Sequence, residues 1–290
     1  WISKNFGISA YWVGKWAFDD NPAKYDTSHT QYSLGLTYRF SYKDKDGDGI
    51  SDLDEGNGDA DLDFARTSTK TRVNEIGLVE DLATGVPALD YSDGGCPSLL
   101  LEPQSTNLIV YSDGIISDYG TNTNVAQANN PIVGFDNSTQ FGDNSLTRIL
   151  YDRSHTSAIS QIYTLSCYVQ MDDNSVPNPS GANNLGDFCL VISGVVSPNP
   201  QVKHIANNVY KVTSTFTSET NSNANGLVKY STQSTKGFRV TGLQLEQLSY
   251  ATSYIPTSGA TATRVAETSS KANISNFINS SEGVLYFEGS

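Results

Sequence analysis

The acidic segment DKDGDGISDLDE at residues 44–55 carries the most chemically specific pattern in the sequence. Ca²⁺ prefers roughly six to eight oxygen ligands at about 2.4 Å, and a twelve-residue loop gathers them from positions 1, 3, 5, 7, 9 and 12. Position 6 needs a residue without Cβ for the sharp bend, and Gly49 stands there. The sequence therefore predicts Ca²⁺ as a cofactor, with these ligands: Asp44, Asp46, Asp48, the carbonyl of Ile50, Asp52 and Glu55.

The same segment can also be interpreted as a solvated, disordered acidic linker. Nine acidic residues lie from Asp44 to Asp63, and they would repel one another in the absence of an ion. The calcium interpretation is favoured because every position of the spacing template is filled. No long amphipathic helix flanks the loop, so we do not expect a calcium sensor of the EF-hand type.

Two glutamates in the middle of the chain, Glu102 in LLLEPQ and Glu246 in LQLEQ, are the candidates for a glycosidase pair. That chemistry needs two carboxyl groups about 5–9.5 Å apart. Both lie near the ends of one predicted domain, where holding the chain ends together is the simpler role. The three histidines are scattered, and the sequence has no GxSxG, HExxH or phosphate-loop motif. We therefore expect that the protein is not an enzyme.

The three cysteines, Cys96, Cys167 and Cys189, are too few and too scattered for a disulfide framework or a zinc site with short CxxC spacing. A bridge between Cys167 and Cys189 requires that their strands be neighbours. Buried free thiols are the equally weighted alternative, so the cysteines leave the redox compartment open.

Composition favours an extracellular all-β protein. The net charge is −13, with 18 basic against 31 acidic residues, and no basic stripe offers a site for nucleic acid. Ser, Thr and Asn make up about 30 per cent of the chain, which is typical of β-rich surface proteins. No apolar run reaches the roughly 18 residues of a membrane-spanning helix. The chain begins at Trp1 without a leader, and we expect an excerpt of a longer protein.

Residues 1–42 are predicted to form a β-hairpin of two long strands. Apolar or small residues occupy the even positions from Phe6 to Phe18, and the alternation from Gln31 to Phe40 is cleaner. Strands of this kind suit either the wall of a transmembrane β-barrel or an amphipathic hairpin on a soluble core. Alternation alone does not decide between these two interpretations.

Resemblance adds to this interpretation. The stretch KNFGISAYWVGKWAFDD...HTQYSLGLTYRF followed by KDKDGDGISD resembles the last hairpin and acidic linker of OmpA-like outer-membrane barrels of the Bacteroidetes. Residues 43–64 resemble a thrombospondin type-3 repeat, which implies a calcium-stiffened spacer. An eight-stranded barrel would need six further strands, so contact with a membrane is expected only if those strands exist elsewhere.

Residues 65–265 alternate in short runs separated by Asn, Gly, Ser and Pro clusters, which predicts a jelly-roll β-sandwich. The strand candidates are the runs from Leu165 to Met171 and from Tyr210 to Phe216, and the segments FCLVI, LVKYS and GFRVTGLQLEQ. The complete fold prediction is therefore all-β: a jelly-roll β-sandwich with an amino-terminal β-hairpin and an acidic calcium-loop linker.

A second resemblance covers this central domain. The opening ARTSTKTRVNEIGLVEDLATGVPALDYSDGGCPSLLLEPQSTNLIVYS and the closing GLQLEQLSYATSYIPTSGATATR resemble the two ends of a carbohydrate-binding-like jelly-roll module of phage tail-fibre and virion surface proteins. The resemblance implies a non-catalytic surface module. Residues 266–290 resemble the first strand of a concanavalin A-like lectin domain, which would be truncated here.

Sugar sites on such modules use aromatic faces and amide side chains, and the weak candidates here are Tyr168 and Gln170 on the polar face of one strand. The leading hypothesis is adhesion or recognition, with a surface glycan or cell-envelope component as partner. One alternative is a structural virion or filament subunit that binds protein partners, including other copies of itself. Another is the carboxy-terminal part of an OmpA-like protein. The expected location is extracellular, on a virion surface or at a bacterial outer membrane.

Overall fold

A computed structural model describes the backbone of residues 6–12 and 32–38 and all atoms of residues 63–93, 97–182 and 185–270. The chain forms two compact units, Trp1–Leu62 with Lys271–Ser290, and Asp63–Ser270. The predicted calcium loop, Cys96 and most of the predicted lectin segment lie outside the described residues, so these predictions stay open.

The described strands are, in chain order, β1 (Phe6–Trp12), β2 (Tyr32–Tyr38), β3 (Asp63–Ala65), β4 (Lys70–Val73), β5 (Val79–Leu82), β6 (Leu89–Asp90), β7 (Ser98–Leu99), β8 (Ser105–Asn107), β9 (Thr121–Thr123), β10 (Val125–Gln127), β11 (Thr139–Phe141), β12 (Arg148–Asp152), β13 (Ile162–Met171), β14 (Cys189–Ile192), β15 (Val195–Val196), β16 (Gln201–Ala206), β17 (Val209–Thr217), β18 (Asn225–Lys229), β19 (Phe238–Glu246), β20 (Ala262–Arg264) and β21 (Thr268–Ser270). One 3₁₀ turn, Ile116–Asp118, is the sole helical element among the described residues.

In the first unit, β1 and β2 pair antiparallel, with Phe6 opposite Tyr38 and Trp12 opposite Tyr32. Both strands fall where the alternation of residues 1–42 predicted them. Their register places residues of the same parity opposite one another, as in a hairpin.

The second unit contains two large antiparallel sheets. The six-stranded sheet has the order β10-β11-β19-β13-β17-β16, and the five-stranded sheet has the order β15-β14-β18-β12-β9. Strands β13, β14, β17, β18 and β19 coincide with the predicted strand candidates. The all-β prediction is therefore confirmed, and the two open sheets are consistent with the predicted β-sandwich.

One apolar cluster fills the space between the sheets. Leu165, Cys167, Val169 and Met171 of β13 contribute to it, as their shared parity predicted, and Leu190, Leu227 and Leu245 join from other strands. Cys189 lies in a separate small cluster on the other face of the five-stranded sheet. Cys167 and Cys189 are both buried free thiols, so they do not form a bridge.

The outer face of the six-stranded sheet is covered as well. Its Tyr168 and Val209 pack with Ile132 and Tyr254 and with the partly buried side chain of Val79. We define the covering layer as the β4–β5 hairpin (70–82), the loop 129–137 and the segment 248–256. The domain thus has three layers, and one pocket lies between the covering layer and the sheet.

Candidate functional site

A two-residue turn positions the main cationic side chains of the site. Asn207 and Asn208 adopt φ values of 51° and 59°, as expected in a hairpin turn that needs positive φ at both central residues. The turn joins β16 to β17, and a register shift between His204 and Ala206 then sets Lys203 directly opposite Lys211. On the other side of β17, Lys211 stands opposite Tyr168 of β13.

A cavity of about 290 Å³ lies against these residues at the edge of the six-stranded sheet, and we name it the Lys211 pocket. Its sheet side is formed by Tyr168, Lys211 and Thr213. The covering layer contributes residues 71–73 and 251–254, and the remaining lining residues are Asp90, Ser92, Leu100, Glu102, Lys203 and Ile205. The pocket therefore combines two tyrosine side chains, aliphatic groups, hydroxyl groups and side chains of both charges.

Lys211 is the half-buried cation of this pocket. Its Nζ donates a hydrogen bond to the carbonyl oxygen of Thr252 at 2.6 Å and lies 5.9 Å from the centroid of the Tyr168 ring. Burial lowers the pKa of Lys211; Glu246 and Glu102 act in the opposite direction, and Lys203 lowers it further. No carboxylate of the described residues lies within 4.0 Å of this ammonium.

The two carboxylates that line the pocket are engaged by other groups. Asp90 accepts hydrogen bonds from the main-chain nitrogen of Val73 at 2.9 Å and from the hydroxyl of Ser92 at 2.5 Å. Burial alone would raise the pKa of Glu102, but Arg264 and Lys70 bring it below its ordinary value. Glu102 therefore stays ionised, which is the opposite of what a general acid requires.

Glu102 and Glu246 join the two ends of the domain. Glu102 accepts hydrogen bonds from Ser253, at 2.8 Å from its nitrogen and 2.7 Å from its hydroxyl. Glu246 accepts from the hydroxyls of Ser105 and Thr252, both at 2.5 Å. These contacts connect the opening and closing segments, which is the structural role expected from the sequence.

A buried ion network adjoins Glu102. The fully buried carboxylate of Glu267 contacts Arg66 Nη1 and Lys70 Nζ, each at 2.7 Å. Glu102 contacts Lys70 at 3.0 Å and Arg264 at 3.2 Å. The three cations are thus matched by carboxylates, as buried charges require.

Of the two ligand residues predicted from the sequence, only Tyr168 lines the pocket. Tyr168 lines the Lys211 pocket but is only 4% exposed, because its ring packs against Phe135 and Tyr254 at centroid distances of 5.0 and 6.1 Å. Gln170 donates from Nε2 to the carbonyl oxygen of Asn207 at 3.2 Å and is not part of the pocket lining. Tyr168 therefore contributes little accessible surface to the pocket.

Sequence reasoning did not identify Lys203 and Lys211. The segment KHIANNVYK indicates an Asn-Asn turn, but a regular hairpin would pair Lys211 with His204, and only the register shift between His204 and Ala206 sets Lys203 opposite Lys211. The sequence pattern lacked this shift and the covering layer, which converts one patch of sheet surface into a pocket.

A second cavity of about 320 Å³ lies on the other side of the contact between Thr71 and Tyr254. Its lining includes Glu80, Asp81, Asp113 and Asp136. Burial raises the pKa of Asp113, and Asp118 and Asp136 add to that effect. Across the described part of the chain, no three His, Cys, Asp or Glu side chains are grouped so that they could hold a metal ion.

Within the described ranges, no helix is both long and apolar enough to cross a membrane. No protein-family model matches the chain, and no curated protein matches it at a significant level.

Proposed function

We propose that residues 65–265 form a jelly-roll module that recognises a surface glycan without transforming it. The Lys211 pocket is the proposed site, and the observation that carries the proposal is its lining of hydroxyls, charged groups and two tyrosines, Tyr168 and Tyr254. Its volume of about 290 Å³ suits one or two sugar residues, near the lower end of small-molecule pockets at roughly 300 Å³. Location on a virion, an outer membrane or another extracellular surface accords with the resemblances and the composition.

The bonding of the lining carboxylates supports recognition over hydrolysis. A glycosidase needs one carboxyl group that can hold a proton at the scissile bond and a second one in reach. Glu102 is held ionised by Lys70 and Arg264. Asp90 is engaged by Val73 and Ser92. Hydroxyl and ammonium groups around them are suited to binding the oxygens of a sugar.

A pocket-filling variant tests this proposal on the full chain. Thr213 lines the pocket, and Thr217 lies on the same strand and the same face but outside the lining. On a glycan array, T213W should lose the binding that the unchanged protein shows, whereas T217W should retain it. An array that is negative for the unchanged protein, or equal binding by both variants, would contradict the proposal.

The predicted calcium site adds a stiffened linker to this proposal. The loop from Asp44 to Glu55 lies outside the described residues, so the support is its spacing alone. Replacing Asp44 and Asp48 by Ala should remove the calorimetric Ca²⁺ signal and leave the melting of the β-sandwich unchanged. An unaltered Ca²⁺ signal would overturn the ligand assignment.

One observation favours the alternative function, a structural subunit that binds protein partners. Leu89 and Leu99 face each other across β6 and β7, and both are substantially exposed. Two exposed leucines side by side suit a protein contact better than a glycan. Sedimentation of the full chain distinguishes the two: ordered self-assembly that L99S abolishes, together with a negative glycan array, would favour the structural subunit.

A further inference from the structure

We propose that the Lys211 pocket binds a sugar residue that carries a carboxylate, with the ammonium of Lys211 as its counter-ion. This inference rests on the proposed function and names the class of glycan. A uronic acid is the simplest sugar of that class. It follows from how the charges of the pocket are paired, one group at a time.

The first observation is the direct opposition of two cations. Lys203 and Lys211 are cross-strand partners. Such partners have Cβ atoms about 4.5–5.5 Å apart, and like charges so placed repel each other. Both side chains line the same pocket. An anion bound between them would turn a repulsive pair into a binding site.

The second observation is that only one of the two lysines has a local counter-ion. Lys203 contacts Asp93 Oδ1 at 2.7 Å and the hydroxyl of Ser92 at 3.0 Å, and both charged side chains are at least half exposed. Lys211 is half-buried and, among the described residues, has no carboxylate within ion-pair distance. Lys211 is therefore the cation that a ligand would neutralise.

The third observation concerns the hydrogen-bond donors of the Lys211 ammonium group. An ammonium group has three N–H donors, and Lys211 uses one on the carbonyl oxygen of Thr252. The carboxylates that influence it at longer range, Glu246, Glu102 and Asp90, are bonded to other residues. A ligand carboxylate would accept the remaining donors in charge-assisted hydrogen bonds, which are stronger than neutral ones.

The neighbouring acids favour a carboxylate over a phosphate. Asp90 lines the pocket and Asp93 lies at its rim beside Lys203. A phosphate monoester carries nearly two negative charges at neutral pH, so these acids repel it more strongly than a singly charged carboxylate. The hydroxyls of Thr213 and Ser92 suit the remaining oxygens of a sugar ring.

The test is an NMR titration of the full chain with two matched sugars, methyl glucuronoside and methyl glucoside, which differ in one carboxylate. The same pair in the galacto series, methyl galacturonoside and methyl galactoside, covers the other common configuration. We expect the acidic member of a pair to bind at least about tenfold more tightly. This preference should shrink as NaCl is raised, because part of it is electrostatic.

Three variants locate the effect. K211M should remove the preference for the acidic sugar and leave the weak affinity for the neutral one. K211R should retain most of the preference because the charge is kept. K236M is the matched control, since Lys236 is an exposed lysine that pairs with Asp173 and does not line the pocket. If K211M does not fold, K211R and the salt dependence still test the proposal.

The outcomes separate this inference from the proposed function. Equal binding of acidic and neutral sugars, or a preference that survives in K211M, would overturn the inference while the glycan function stands. Tighter binding of a sugar phosphate than of the matched uronate would also overturn it. If no sugar binds in the NMR titration or on the glycan array, both the inference and the proposed function are overturned.

Discussion

In the middle of β13, the two faces of the six-stranded sheet are buried to nearly the same degree but have opposite chemistry. On β13, the inner side chains of Leu165, Cys167 and Val169 are 0% exposed. The outer side chains of Thr164, Ser166 and Tyr168 are 1%, 2% and 4% exposed. The inner face is apolar and packs against the other sheet. The outer face is polar and is covered by the layer of residues 70–82, 129–137 and 248–256.

This difference shows that alternation identifies the apolar face of a strand but not whether the polar face is exposed. A polar face can be buried where the covering chain supplies hydrogen bonds, as Leu248 does by accepting one from Thr164 Oγ1 at 2.8 Å. The inner face is expected to gain stability from apolar area. The covering layer is expected to gain its stability from matched polar contacts. Each of the following predictions tests the stability of either the apolar inner face or the polar face with its covering layer.

The largest effect is expected from the ion network that ties the covering segments together. E267A removes the carboxylate that Arg66 and Lys70 contact at 2.7 Å, and it should cost about 3–5 kcal/mol of the free energy of unfolding. The control is E80A, because Glu80 forms a partly exposed pair with Arg72 and should cost under about 1 kcal/mol. Denaturant titration measures both, and similar values would refute the assigned role of the network.

The next largest loss of stability is expected from a substitution that creates a cavity in the core on the inner face. L165A removes a side chain that is 0% exposed and should destabilise the domain by about 2–5 kcal/mol. Ile162 begins the same strand but is 45% exposed, so I162A should change stability by no more than about 0.5 kcal/mol. Comparable losses in the two variants would mean that β13 does not face one core.

A smaller effect is expected at the β-bulge beneath Tyr168. Gly242 has a φ of +62°, and a Cβ there would lie 2.8 Å from Tyr168 Cδ2. G242A should cost about 1–3 kcal/mol. Gly85 also has positive φ, at +75°, but has nothing within 4 Å of the added Cβ, so G85A measures the backbone cost alone. If G242A and G85A lower the melting temperature equally, the Tyr168 ring does not pack tightly against the bulge.

The smallest effects concern pH. Because the pKa of Glu102 is lowered below 4.5 in the folded protein, its contribution is present above that pH and is lost as the pH falls further. E102Q should therefore be less stable than the unchanged protein at pH 7, by a margin that narrows towards pH 3.

The pH dependence of stability expected from Asp113 has the opposite sign. Burial raises its pKa above 3.8, so its contribution is present at lower pH and is lost as the pH rises through the folded pKa. The free energy of unfolding of D113N, relative to that of the unchanged protein, should therefore increase as the pH rises from 3 to 7. Urea titrations at several pH values compare the two variants, and parallel pH profiles would contradict these signs.

Local patterns predicted the strands but not their surroundings. The parity of residues 165–171 predicted β13 and its inner face, and the segment GFRVTGLQLEQ predicted β19. The structural role of Glu102 was also predicted, because its segment lies near one end of the domain. Tyr168 was placed on the polar face, but its burial depends on Phe135 and Tyr254, which are distant in sequence.

The sequence by itself determined the elements whose causes are local: alternating strands, the Asn-Asn turn and the spacing of the acidic loop. Each depends on neighbouring residues, through the two-residue period of a strand or the φ values that a turn requires. Only the tertiary structure decided which charges are paired and which polar face is buried. These depend on contacts between segments far apart in the chain, such as Lys70 with Glu267 and Lys211 with Thr252.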